Sequence, residues 1–148
     1  MPWFANPAVA SRIMAADAKS CLSPGLLIWS EIGTLERFPT SHDLCSYAGL
    51  VPTTRSSGGK TTHGSLPHSG NPWLRWALVE ATHELKQHPG PVRAQFMKLQ
   101  RAKGRSKATI AAARKLCCYL YWILRDELTY PEWLRKRQQH PSVEVRPS

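Results

Sequence analysis

Asn71-Pro72-Trp73-Leu74-Arg75-Trp76-Ala77-Leu78-Val79-Glu80-Ala81-Thr82-His83-Glu84-Leu85 is the stretch whose reading decides the fold. Asn71 suits a helix cap, and Pro72 takes the first helical position, where its missing N–H costs nothing. Leu74, Ala77, Leu78, Ala81 and Leu85 then recur at helical spacing and form one apolar stripe. Pro89-Gly90-Pro91 ends this helix. A second follows, with Val92, Phe96 and Leu99 on one face and Arg93, Lys98, Arg101 and Lys103 elsewhere, and Gly104 ends it. Ser106 predicts the cap of a third helix, running from Lys107 to about Leu128. Its stripe is Ile110, Ala113, Cys117, Leu120 and Leu124, and Ala111-Ala112-Ala113 gives it strong propensity.

Outward from these helices the texture changes. Between Leu50 and Gly70, Thr, Ser, Gly and Lys alternate with few apolar residues. Two β-tolerant runs around Gly58-Gly59 predict a polar hairpin. Upstream, Thr40-Ser41 offers a cap for a helix through Tyr47 that Gly49 stops, and Gly25 to Trp29 opens a short apolar segment ending at Gly33. Residues 1–26 read as a weakly ordered arm. At the other end, Pro131 stops the third helix, and residues 131–148 read as a short basic helix and a frayed tail. The expected fold is mainly α: a small helical domain, residues 27–130, with one polar β-hairpin.

Length and charge narrow the function. The 148 residues suit one domain, and 42% apolar content supports a core. Twenty Lys+Arg against ten Asp+Glu give a formal charge of +10, which favours a polyanionic partner. No run of about 18 apolar residues exists to span a membrane, and the N-terminus lacks the layout of a secretory signal. A cytoplasmic, nucleoid-associated protein with reduced thiols is expected. Ten acidic residues leave few carboxylates for a metal-dependent nuclease centre.

The four cysteines, Cys21, Cys45, Cys117 and Cys118, form no C-x-x-C pair and are expected as small core residues, not zinc ligands. His83-Glu84 has no second His at the zincin spacing. His63 and His68 flank a Gly-rich stretch, where solvated loop histidines are the plainer reading.

The positive charge is concentrated. From Thr53 to Lys107 the basic residues are Arg55, Lys60, Arg75, Lys86, Arg93, Lys98, Arg101, Lys103, Arg105 and Lys107, opposed by Glu80 and Glu84 alone. The run from Lys98 to Lys107 meets a helix N-terminus, whose N–H groups favour phosphate. Trp73 and Trp76 lie near this surface, where bases could stack, but a helix with a core stripe makes packing the expected role. Ser56-Ser57-Gly58-Gly59, between Arg55 and Lys60, has the approachability a serine nucleophile needs, although Ser-Gly pairs usually mark turns.

An ordered set of short motifs carries a family resemblance. It comprises Glu31-Ile32-Gly33 with Arg37-Phe38, then Tyr47-Ala48-Gly49-Leu50-Val51-Pro52, then Ser56-Ser57-Gly58-Gly59-Lys60. It continues with Gly64, Gly70-Asn71, Leu74-Arg75 and Ala77-Leu78-Val79-Glu80-Ala81, then Ala113-Arg114-Lys115-Leu116 and Leu124-Arg125-Asp126. Over residues 27–130 the chain resembles the C-terminal domain of the bacterial insertion-sequence one-ten/one-sixteen/nine-oh-two transposases. The resemblance implies a DNA recombinase whose C-terminal domain supplies a serine that becomes linked to the DNA backbone. By position that serine is Ser57, with Ser56 the reserve, and Arg55, Lys60, Arg75, Lys103, Arg105 and Lys107 are the implied phosphate contacts. DNA, an element-encoded guide RNA, and a full-length transposase or a second copy are the implied partners.

Two departures qualify the resemblance. The family's acidic, metal-binding domain has no counterpart here, since residues 1–30 hold Asp17 as their one acid. The chain is thus expected to be truncated, to contain no metal ligands or cofactor, to need Mg²⁺ only with the absent domain, and to be inactive alone. Where the family enters this domain through a Gly-x-Gly turn, the chain reads Cys21-Leu22-Ser23-Pro24-Gly25-Leu26-Leu27. A non-catalytic basic nucleic-acid-binding module, or a decayed transposase remnant, is the competing reading.

Overall fold

The computed structural model describes residues 22–52, 54–57, 60–63 and 69–139. In chain order these form α1 (Leu22–Ile32), a 3-10 turn (Leu35–Arg37), α2 (Ser41–Tyr47), β1 (Thr54–Ser57), β2 (Lys60–His63), α3 (Pro72–Leu85), α4 (Pro91–Lys103), α5 (Arg105–Arg125) and α6 (Tyr130–Gln139).

The long helix α5 is the centre. Ala108, Ala112, Ala113, Leu116, Cys117, Tyr119, Leu120, Tyr121, Ile123 and Leu124 are all buried, which covers most of its circumference. A helix apolar on most sides belongs inside other helices. Accordingly α4 packs along it most extensively, α3 and α2 take further sides, and α1 lies against α3. The stripe Leu74, Ala77, Leu78 and Ala81 of α3 is fully buried, as its spacing predicts. Val92 and Phe96 do the same for α4. Thr82, also buried, satisfies its hydroxyl by donating to the Leu78 carbonyl at 2.8 Å. The Tyr121 hydroxyl, 2.8 Å from the Pro39 carbonyl oxygen, ties the segment before α2 to the central helix. Tyr119 stacks on Trp133 at 4.5 Å and receives a hydrogen bond from Arg137 Nη1, so α6 folds back onto α5.

The mainly-α expectation fits. The polar hairpin, as part of the architecture, is corrected. Among the described residues strand pairing is confined to β1 and β2, antiparallel with Thr54 opposite His63 and Ser57 opposite Lys60. Two four-residue strands make no sheet layer. The buried residues described all lie on helices or on segments joining helices. The Gly58-Gly59 turn itself lies outside the described residues.

Boundaries also move. Helix α1 begins at Leu22, so the first apolar segment is helical and a domain edge at residue 27 would cut through it. Helix α5 begins at Arg105, with Gly104 rather than Ser106 in the capping position, and ends at Arg125. The reason lies in Gly104, whose φ of 83° turns the chain in a single residue. Helix α6 starts at Tyr130, just before Pro131, because Pro fits a first helical turn. The arm before Leu22 and the tail after Gln139 lie outside the described residues.

Candidate nucleic-acid interface and the neck of the serine segment

The serine-bearing segment leaves the helical body after α2 and re-enters it before α3. Thr40 starts α2 with a capping box: its hydroxyl accepts from the Asp43 N–H at 3.2 Å, and Asp43 Oδ2 accepts from the Thr40 N–H at 3.0 Å. The helix ends at Ala48, and Gly49 turns the chain with a φ of 70°. At the return, Gly70 has a φ of 113°, and a Cβ there would sit 2.9 Å from the Gly49 Cα and N. No side chain fits between these two backbones. The Asn71 N–H donates to the Tyr47 carbonyl at 2.7 Å and closes the crossing.

Asn71 is the hub of this neck. Its Oδ1 accepts from the Trp73 and Leu74 N–H groups at 3.0 and 3.1 Å, capping α3. Its Nδ2 donates to Glu31 Oε2 of α1 and to the Tyr47 hydroxyl at 3.3 Å. One side chain thereby joins α1, α2 and α3. Two guanidinium groups flank it. Arg37 lies over the Tyr47 ring at 5.3 Å and the Phe38 ring at 5.4 Å. Half-buried Arg75 lies against Gly49, with its Cζ 3.4 Å from where a Cβ would stand. Glu31, Arg37, Tyr47, Gly49, Gly70, Asn71 and Arg75 are far apart in sequence and meet here. Of these, the sequence alone marks Arg75 as a site residue. The signal for the others was their presence in the motifs, which spacing alone could not interpret.

Ser57 lies opposite Lys60 in the backbone register, Ser56 opposite Thr61, and Arg55 opposite Thr62. Ser56, Ser57, Arg55 and Lys60 thus share one short ladder.

Lys103, Arg105 and Lys107 gather elsewhere. All three are exposed around Gly104, which closes α4 and opens α5, so the two helices form a hairpin with a one-residue connection. The N-terminus of α5 has no side-chain cap, leaving its first N–H groups to an external acceptor. Lys86, at the end of α3, joins this group: burial and the nearby Arg105 charge push its pKa down. Its Nζ lies 2.7 Å from His83 Nδ1 and 5.0 Å from the Phe96 ring centroid. Arg75 and Lys86 stand at opposite ends of α3, roughly 16 Å apart at the helical rise. The expected phosphate contacts therefore fall in three places: Arg55 and Lys60 on the strand ladder, Arg75 at the neck, and Lys103, Arg105 and Lys107 at the Gly104 turn.

The thiols are internal. Cys45 Sγ lies 3.5 Å from Cys118 Sγ, linking α2 to α5, and Cys117 is buried beside them. Hydrogen bonding with Cys117 and burial push the Cys45 thiol up, and hydrogen bonding with Cys45 and burial do the same for Cys118. These are core thiols, held protonated by burial and hydrogen bonding. Cys21 lies outside the described residues. Among the described residues no three His, Cys, Asp or Glu side chains converge to hold a metal. Among them, too, no helix is long and apolar enough to cross a membrane.

Comparison with known proteins agrees with the motif reading. The chain is 34% identical over 101 residues to an insertion element IS110 protein of 43.6 kDa from Streptomyces coelicolor, covering 67% of this chain and 25% of that protein. It is 32% identical over 98 residues to an insertion element IS116 protein of 44.8 kDa from Streptomyces clavuligerus, covering 65% and 24%. It is 28% identical over 109 residues to the transposase for insertion sequence element IS1111A of Coxiella burnetii, covering 71% and 30%. The chain thus spans between 24% and 30% of the length of these relatives. No solved structure matches it. Residues 25–98, from α1 through the neck to α4, match the family described as Transposase IS116/IS110/IS902, and the chain belongs to that family.

Proposed function

We propose that this chain is the DNA-handling, serine-bearing part of a transposase, and that Ser57 is its nucleophile. One observation carries the reading: the family's scattered motif residues meet at the neck, on either side of the segment that holds the serines. A helical body that fixes both ends of a short segment, and places Arg37 and Arg75 beside them, suits a segment that must present a group to a phosphodiester. In the step itself the Ser57 hydroxyl oxygen bonds to phosphorus and loses its proton to solvent. A P–O bond to deoxyribose breaks, and the departing oxygen takes up a proton as a hydroxyl. Lys103, Arg105 and Lys107, with the open N-terminus of α5, hold the strand at a second place by its phosphates. About six such contacts give a log–log salt slope of roughly −5.

The test is adduct formation with DNA carrying the element ends, in the presence of Mg²⁺, guide RNA and an acidic domain supplied in trans. A covalent protein–DNA adduct is expected for the parent chain and for Ser56→Ala, and none for Ser57→Ala. An adduct that persists in Ser57→Ala moves the nucleophile to Ser56. Absence of DNA binding at low salt sinks the whole reading.

A further inference from the structure

Trp73 and Trp76 do not pack. They are 64% and 51% exposed, against the packing that the sequence pattern favours. The reason is angular. The buried stripe of α3 is Leu74, Ala77, Leu78 and Ala81, and positions 73 and 76 fall on the opposite side, one turn apart and adjacent. The outer face continues through Glu80 and His83, both exposed.

Placement gives these indoles a meaning. They follow directly on Asn71, which closes the neck, so they stand where the serine segment rejoins the body. Arg75 lies between them in sequence, and Lys86, close to Arg105, ends the same helix. Arg75 and Lys86 share one flank of α3, roughly 16 Å apart and about a quarter-turn round the helix from Trp76. That charge suits a nucleic-acid strand better than an apolar protein surface. Glu80 repels phosphate, so the strand's backbone is expected to run along the Arg75 and Lys86 flank with its bases over the indoles.

We propose that Trp73 and Trp76 form a stacking platform for unpaired DNA bases, which holds a locally melted strand beside the serine segment. This inference rests on the DNA-handling function proposed above. Aromatic stacking accepts every base, because every base has a π-face, so the platform supplies affinity for single strands without sequence preference.

The experiment measures binding of the full chain to labelled twelve-nucleotide oligo-dT and to a duplex of equal length, across a salt series. Trp73→Ala/Trp76→Ala is compared with Trp73→Phe/Trp76→Phe, and thermal unfolding checks that both fold. The alanine pair is expected to lower oligo-dT affinity by about tenfold per indole, with a much smaller loss for duplex. The phenylalanine pair is expected to recover most of the loss, because it keeps an aromatic face. Oligo-dT should quench tryptophan fluorescence in the parent chain and far less in the alanine pair. An unchanged ratio of oligo-dT to duplex affinity in the alanine pair overturns the stacking platform and leaves the DNA-handling function standing. Failure of the parent chain to bind either DNA overturns both. An alanine pair that turns a self-associating chain into a monomer, with no change in that ratio, assigns the indoles to a second copy instead.

Discussion

The two ends of α3 solve opposite problems. At its N-terminus, seven residues from separate parts of the chain converge on the neck, with donors and acceptors paired and two backbones in contact. At its C-terminus, a contiguous run of sequence forms the cationic Gly104 turn, exposed and with an uncapped helix start. The neck is built for position and gains nothing from further partners. The turn holds like charges close together and gains from any anion that neutralises them; burial lowers the pKa of nearby Lys86, and the Arg105 charge adds to that. Damage to the neck should therefore appear as lost stability, and damage to the turn as lost binding.

Gly70→Val attacks the neck hardest. It combines a φ of 113° with a Cβ 2.9 Å from the Gly49 backbone. A loss of about 3–4 kcal/mol is expected, read in denaturant titration. Gly104→Ala is the matching test at the turn. Its φ of 83° is equally foreign to alanine, but nothing lies within 4 Å of the added Cβ. The cost is then backbone strain alone, about 2 kcal/mol. Equal losses at the two glycines would show that contact across the neck contributes nothing.

Asn71→Ala follows, with about 1–2 kcal/mol from the lost cap and the unpaired Glu31 and Tyr47 groups. Asn71→Asp keeps the cap but sets a carboxylate against Glu31, so its stability should recover in acid, where the pair takes up a proton.

The thiols between α2 and α5 predict a pH dependence. In the folded chain Cys45 stays protonated above 9.0, the ordinary thiol value, while the unfolded chain ionises there. The unfolded state then binds fewer protons, so stability is full below that pH and falls above it, by up to about 1.4 kcal/mol per pH unit for this thiol. Urea titrations at pH 8 and 10 should differ, and Cys45→Ala should narrow the difference.

The smallest effect on stability is expected at the turn's charges. Replacing Lys103, Arg105 and Lys107 with Gln should leave unfolding within about 0.5 kcal/mol. The same variant should flatten the salt slope of DNA binding by roughly 3. A large stability loss with no change in slope would reverse the contrast between the two ends.

The same contrast explains what the sequence could show. Helical stripes such as Leu74, Ala77, Leu78 and Ala81 are local signals and were legible, as was the cationic run around Gly104. The neck depends on Asn71 meeting Glu31 and Tyr47 across long separations, which no local pattern encodes. Only the family motifs marked those residues, and they did not reveal that one side chain joins three helices. The indoles misled because a core stripe on a helix says little about residues between its positions. Trp73 and Trp76 share the helix with Leu74 and Ala77 but not the side. The start of α5 misled because Ser106 is a better cap by residue type, whereas Gly104 decides the start by backbone angle.

The crossing of Gly49 and Gly70 has a consequence for how the family can change. Where the two ends of an excursion already touch, the rest of the fold does not register how many residues lie between them. Closing a longer loop adds only about 0.6 kcal/mol per doubling of its length. Lengthening or exchanging the serine segment is thus expected to leave α1, α2 and α3 meeting at Asn71. New target chemistry could be sampled in the segment without renegotiating the core that carries it.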